Sequence, residues 1–242
     1  MTLILTELSE FGVAMAADTA ETVVLQGPSG APYTRVTYGA KKLLPIPALR
    51  AGVSSWGLGA IPDKRPPSGR IPTDIWLQDF LRLNEQAKTI DALARALASA
   101  LNPLIAPERG ALGFHIAGVV HKANHKMVTL YTVKNGDPSR AEQLHEFRVV
   151  REIAPATYKP GMKPYIHSDG DIALFEELSP IAEKKLKALG GVVVGPFQGR
   201  ADYIGSWIRF ISDLYHASGL YRTIGGQVNT LFIDTNGSMI IS

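Results

Sequence analysis

Cysteine is absent from the 242 residues, which removes disulfide frameworks, thiolate zinc sites and a thiol nucleophile together. Long apolar runs are missing as well. The longest stretch without Asp, Glu, Lys or Arg lies between Glu21 and Arg35 and is 13 residues long, whereas a membrane-spanning helix needs roughly 18 apolar residues; no membrane partner is expected. The first ten residues carry no Lys or Arg and lead to no small-residue cleavage site, so the chain reads as cytoplasmic rather than secreted. Charge of one sign is not in excess: 25 basic against 22 acidic residues give +3, with the basic residues scattered singly, and nucleic-acid binding is not expected. No glycine-rich loop leads into Gly-Lys-Ser/Thr, and Gly57 and Gly59 lack the sequel of a nucleotide-binding loop. His121 and His125 fall four apart in an expected turn rather than on a helix, which argues against a metal pair.

What remains is an ordinary globular composition, 45% hydrophobic and 19% charged, without repeats. The Pro- and Gly-bearing stretches at 26–32, 62–72 and 155–164 are too short for linkers, so residues 1–242 read as a single domain. Apolar runs at Thr2–Leu8 and Val13–Asp18 flank Ser9–Gly12 as a hairpin. Strand-like runs follow at Thr22–Leu25, Thr34–Tyr38, Lys42–Ile46 and Arg50–Ser54. Trp76, Phe80, Leu83 and Ala87 then recur at helical spacing. Thr89 can cap a second helix carrying Ile90, Leu93, Leu97 and Leu101. Strands return at Leu112–Val120, Met127–Val133 and Leu144–Ile153. A third helix is expected from about Ser168, a fourth over Asp202–Ser218, and the chain ends on strands at Gln227–Asp234 and Ser238–Ile241. Hairpin-length connections favour antiparallel pairing, so the class is α+β, two antiparallel sheets with helices outside them.

Thr2 is the residue with chemical promise. Its small side chain is compatible with removal of Met1, which leaves a threonine whose own α-amine, with an ordinary pKa near 8, can act as base toward its hydroxyl. An ordinary strand-start threonine is the plain alternative. Beyond Thr2 stand Ala16-Ala17-Asp18, Lys41-Lys42-Leu43, Ala51-Gly52, the Gly113–Gly136 hairpin, IHSDGDIALFEEL from Ile166 and GGQVNTLFIDTNG from Gly225.

These segments resemble the proteasome β-subunit superfamily, threonine peptidases among the N-terminal nucleophile (Ntn) hydrolases, and among them the small bacterial proteasome-like homologues. The resemblance implies a four-layer αββα sandwich, and a triad in which Lys42 lowers the amine pKa while Asp18 orients Lys42. It implies Gly52 as oxyanion donor, Ser168 as accessory serine, and Thr22, Arg50 and Ser54 around the substrate, with Arg50 favouring an acidic side chain. Ser168 is equally a helix N-cap, and Asp18 and Lys42 have bland readings as a turn aspartate and a solvated lysine. Tyr221 and Ile224 depart from the family, standing where it has an aspartate and a serine; His167 replaces a glycine and either reaches the site or is a plain strand-end residue. The implied activity is peptide hydrolysis through an acyl-enzyme on Thr2 without cofactor. Implied partners are copies of the chain in stacked hexameric or heptameric rings, unfolded-protein substrate and an ATP-dependent unfoldase. Two alternatives stay open: a non-catalytic ring subunit, and an Ntn amidase acting on a small amide.

Overall fold

The order of elements along the chain is strands, a helix pair, strands, a second helix pair and strands. The computed structural model describes residues 2–26, 32–62, 69–105, 110–122, 125–137, 142–152, 158–159, 161–189, 196–218 and 224–242, with the side chains of 22–26, 32–34, 122, 137, 142–143 and 145 left aside. Strands β1 (Leu3–Ser9) and β2 (Gly12–Asp18) form the expected hairpin. Gly12 closes it at φ +133, where a Cβ would overlap the Ile233 carbonyl of a neighbouring strand, so only glycine fits this turn.

A two-stranded hairpin follows, β3 (Ala20–Gln26) with β4 (Pro32–Tyr38), then β5 (Leu43–Ile46), a 3-10 turn at Pro47–Leu49 and β6 (Ala51–Gly57). Short β7 (Ala60–Pro62) and β8 (Arg70–Pro72) lead into α1 (Thr73–Leu83) and α2 (Ile90–Leu101). Thr89 caps α2 as expected, its hydroxyl accepting the Ala92 N–H at 3.1 Å. The chain continues through β9 (Leu112–Lys122), β10 (His125–Asp137), β11 (Glu142–Arg151), β12 (Tyr165–Gly170), α3 (Ala173–Ala188), α4 (Gln198–Ala217), β13 (Val228–Asp234) and β14 (Met239–Ile241).

Two five-stranded sheets result, ordered β12-β1-β2-β13-β14 and β11-β10-β9-β6-β5, and every ladder among the described residues is antiparallel. Among the described residues the fold is thus α+β with antiparallel sheets and four helices. Period-two alternation decides what each face of the central hairpin meets. Leu3 and Leu5 of β1 pack with Ile204, Trp207, Ile208 and Ile211 of α4. Ile4 and Leu8, on the other face, pack with Trp56, Ala117 and Val119 of the second sheet. Val53, Phe114 and Ile116 of the second sheet in turn meet Leu77 and Phe80 of α1 and Leu93 and Leu97 of α2. Both faces of β1 and β2 are covered, which is why their sequences run apolar without alternation. Each large apolar side chain buried this way contributes about 1.5–3 kcal/mol.

One local expectation needs correcting. Residues from Ser168 do not open a helix; Tyr165–Gly170 adds a strand to the free edge of β1, and α3 starts only at Ala173. The aromatic and β-branched pair Tyr165-Ile166 prefers a pleated, half-buried surface, and Gly170, at φ +98, breaks the strand before the helix begins. Among the described residues no helix is long and apolar enough to cross a membrane.

Candidate active site

Thr2 stands one residue before β1, and its carbonyl accepts the Asp171 N–H at 2.8 Å. That bond hangs the start of the chain on the end of β12. Gly170 makes the approach possible, since a Cβ there would overlap the Thr2 carbonyl. Asp18 ends β2. One of its oxygens, Oδ2, accepts the backbone N–H of Ala20 at 3.2 Å and of Gly225 at 3.0 Å; the other, Oδ1, faces Lys42 Nζ at 3.2 Å. Lys42 directly precedes β5. Its ammonium donates to Thr2 Oγ1, to Asp18 Oδ1 and to the Ala20 carbonyl. An ammonium has three protons to donate, and all three are used.

Thr2 is 3% exposed, Asp18 0% and Lys42 7%. Burial is therefore the dominant electrostatic influence on the pair. It pushes the Lys42 pKa below its ordinary value, with the Asp18 carboxylate pulling back up. Asp18 is pushed up by burial, against the Lys42 charge and the two backbone N–H groups. A lysine whose charged form is disfavoured, hydrogen-bonded to a hydroxyl, can accept or relay that hydroxyl's proton more readily than an exposed one.

Thr2 and Lys42 line a cleft together with Glu21, Ser55, Gly57 and Asp74. Asp74 is fixed at the start of α1, where its carboxylate accepts N–H bonds from Lys41 at 3.0 Å and Ile75 at 2.8 Å. Glu21, half-buried, has its pKa raised by burial and by the Asp74 charge.

The structure brings Thr2, Asp18 and Lys42 together, three residues chosen in the sequence, and leaves others apart. Gly52 lies in β6 opposite Pro45 and Ala117. A Cβ on it would run into Leu231 and come within 2.8 Å of Met15 Sδ, so its glycine serves the close approach of the two sheets. The glycines in the cleft are Gly57 and Gly59. Ser54 is fully buried and pairs with Leu43 and His115, while its neighbour Ser55 lines the cleft. Arg50 takes a left-handed conformation, φ 50, after the 3-10 turn and reaches His121 Nδ1 at 2.8 Å; it does not line the cleft, so the expected acidic preference loses its basis.

Ser168 is paired with Leu5, and strand alternation puts it on the face toward α4, away from the face that carries Thr2. Thr22 lies in β3 opposite Val36, but its side chain is outside the described residues, as is all of Tyr221. Ile224 is fully buried in the apolar cluster around α4. Gly57, Ser55 and Glu21 were missed in the sequence because they come from β6 and from the start of β3, whose meeting at the cleft no local pattern announces.

No family model matches the chain, and no curated protein matches it. The likeness that is found is one of fold. The chain is similar to the Gly-1 mutant of Anbu from Hyphomicrobium sp. strain MC1, at 12% sequence identity and a TM-score of 0.54, over 100% of this chain and 86% of that one.

Proposed function

We propose that this protein is a threonine-type Ntn hydrolase of proteasome kind, folded as a single-domain four-layer αββα sandwich, that hydrolyses peptide bonds through an acyl-enzyme on Thr2. The observation that carries the reading is the Lys42 ammonium joined at once to the Thr2 hydroxyl and the Asp18 carboxylate. Three residues far apart in sequence meet, buried, and two of them, Thr2 and Lys42, line a cleft. The fold likeness to Anbu supports the same class.

Removal of Met1 is part of the proposal, because a peptide bond to Met1 would occupy the amine that serves as base. The freed amine takes the Thr2 hydroxyl proton while Lys42 stabilises the alkoxide character of Oγ1. Thr2 Oγ1 then adds to the substrate carbonyl carbon, the C–N bond breaks with the proton delivered to the leaving amine, and an ester remains. Water, deprotonated by the same amine, cleaves the ester. Asp18, with its second oxygen tied to Ala20 and Gly225, keeps Lys42 placed and offsets its charge. Gly57, on the cleft wall, is the proposed oxyanion donor in place of Gly52. We also propose a cytoplasmic setting and self-assembly into rings of six or seven copies, with unfolded polypeptide as substrate and an unfoldase as partner.

A second reading has its own support. Ile224 fills an apolar core position where the resembled family places a polar accessory residue, as a subunit that kept the scaffold and lost activity would. The test is acylation of processed protein by a peptide epoxyketone, which needs both a threonine hydroxyl and a free amine. Wild type should label, Thr2→Ala should not, and Lys42→Ala and Asp18→Asn should label slower by about two to four orders of magnitude with assembly retained. Unlabelled, folded, processed wild type would establish the scaffold reading instead. If wild type labels, turnover of small amides but not of peptides by the enzyme before labelling would favour an amidase.

A further inference from the structure

A second polar cluster lies between the sheets, outside the Thr2 cleft. His115, in β9 of the second sheet, is fully buried; its Nε2 lies 3.0 Å from Asp169 Oδ2, in β12 of the first sheet. His167, two residues before Asp169, turns its Nε2 toward the same oxygen at 3.5 Å. The two rings are tilted by 58° with centroids 4.9 Å apart, so they converge on the carboxylate without stacking. His167 Nε2 is buried and makes no hydrogen bond. An unsatisfied buried nitrogen in an otherwise bonded network needs an explanation.

We infer that His115, His167 and Asp169 form a site for one divalent transition-metal ion of zinc type, held by the two Nε2 atoms and Asp169 Oδ2. The three ligating atoms lie within 4.8 Å of one another. Zinc-to-ligand distances of about 2.0–2.2 Å put adjacent tetrahedral ligands roughly 3.3–3.5 Å apart. The 3.0 Å and 3.5 Å separations on either side of Asp169 Oδ2 bracket that edge, so two of the three edges already fit, and the two imidazoles draw together to complete the third.

The outer contacts are those that metal-bound histidines use. His115 Nδ1 is engaged by Thr6 Oγ1 at 2.9 Å. His167 Nδ1 is engaged by Tyr165 Oη at 3.2 Å and has Glu152 Oε2 at 3.8 Å. Each ring thus has its far nitrogen fixed and its near nitrogen turned to the common oxygen. A metal on His115 Nε2 requires the ring proton on Nδ1, and the Thr6 hydroxyl can accept from that nitrogen as well as donate to it. Lys134 Nζ stands 3.3 Å from Asp169 Oδ1, the oxygen the ion does not use. His167 and Lys134 are 19% and 20% exposed, giving the ion a way in and room for water as fourth ligand. Two imidazoles and one carboxylate suit zinc and its neighbours better than calcium or magnesium, which prefer oxygen. The site would clamp β12 to β9 across the sheet interface, independently of Thr2 chemistry.

The test uses chelator-stripped full-length protein. Cobalt(II) should bind at one equivalent per chain with the intense visible absorption of a four-coordinate site, and zinc should displace it and raise the melting temperature. His167→Gln, at the rim, should weaken binding at least tenfold while leaving the unliganded fold intact, and Tyr165→Phe should weaken it about tenfold. His121→Ala, at a surface histidine, should change nothing. Absence of a cobalt spectrum in folded wild type would overturn the proposal, as would binding unaffected by His167→Gln; the cluster would then be an internal hydrogen-bond network anchored by Lys134.

Discussion

Lys42 is a cation held almost wholly out of water, and its environment makes a pH-dependent signature. Burial sets its folded pKa below the ordinary 10.5, so between that lowered value and 10.5 the unfolded chain binds more protons than the folded one. Stability then rises with pH across this window. The contribution is complete above 10.5 and is lost as pH falls through the folded value. The urea midpoint of wild type should climb from pH 8 toward 10.5 relative to that of Lys42→Met, and parallel curves would mean that Lys42 titrates normally. Gly170 gives a second expectation at this scale. Its φ of +98 and the Thr2 carbonyl against its Cα mean that Gly170→Ala should cost about 1–3 kcal/mol and slow Thr2 labelling more than any general loss of stability explains. Thr2, Asp18 and Lys42 were legible in sequence because each is tied to a strand end: the hairpin length fixes where β2 stops relative to β1, and β5 begins one residue after Lys42. Gly52 misled because a glycine in a strand marks close approach without saying of what; here the neighbours are Met15 and Leu231.

Among elements, β1 and α4 are joined by a buried ion pair as well as by apolar packing. Arg200 grips Glu7 through both nitrogen branches, Nη2 to Oε2 at 2.6 Å and Nε to Oε1, with the Glu7 side chain fully buried and that of Arg200 10% exposed. Removing one partner strands the other in a low-dielectric core. Arg200→Ala should therefore lower unfolding free energy by about 3–5 kcal/mol, whereas replacing both residues, Glu7→Leu with Arg200→Met, should recover most of the loss. Equal losses in the single and double variants would show the pair to be mere packing. Helix α2 was readable from its 3.6-residue period and its threonine cap, since both are local, but the period expected for α1 was right only in part: Phe80 is buried, whereas Leu83 is 77% exposed, Ala87 lies beyond the helix and Leu77 carries the buried face. The segment from Ser168 was not readable, because its strand character depends on the unpaired edge that β1 offers, 163 residues earlier along the β1–β12 ladder where Ser168 meets Leu5.

At the scale of the molecule, the two five-stranded sheets supply the frame on which the ends of β2 and β12 and the start of β5 converge near Thr2, and the likeness to Anbu reaches the whole length of the chain. The segments that carry the family resemblance run from Thr2 to Gly237, so a likeness over most of the chain was expected, while the number of copies in an assembly is written in surfaces that sequence pattern does not order. Native mass spectrometry at micromolar concentration should show a ring of six or seven chains, or its double; a monomer at all concentrations would remove the ring from the account. The central claim is more specific: Thr2 is a free N-terminal nucleophile activated by Lys42. Intact-mass measurement of the purified protein before and after exposure to a peptide epoxyketone tests it most directly. The expected result is a chain lacking Met1 that gains one adduct, located on the peptide beginning at Thr2 and absent from Lys42→Ala at the same exposure. A chain that keeps Met1, or one that loses it and takes up no adduct, would contradict it.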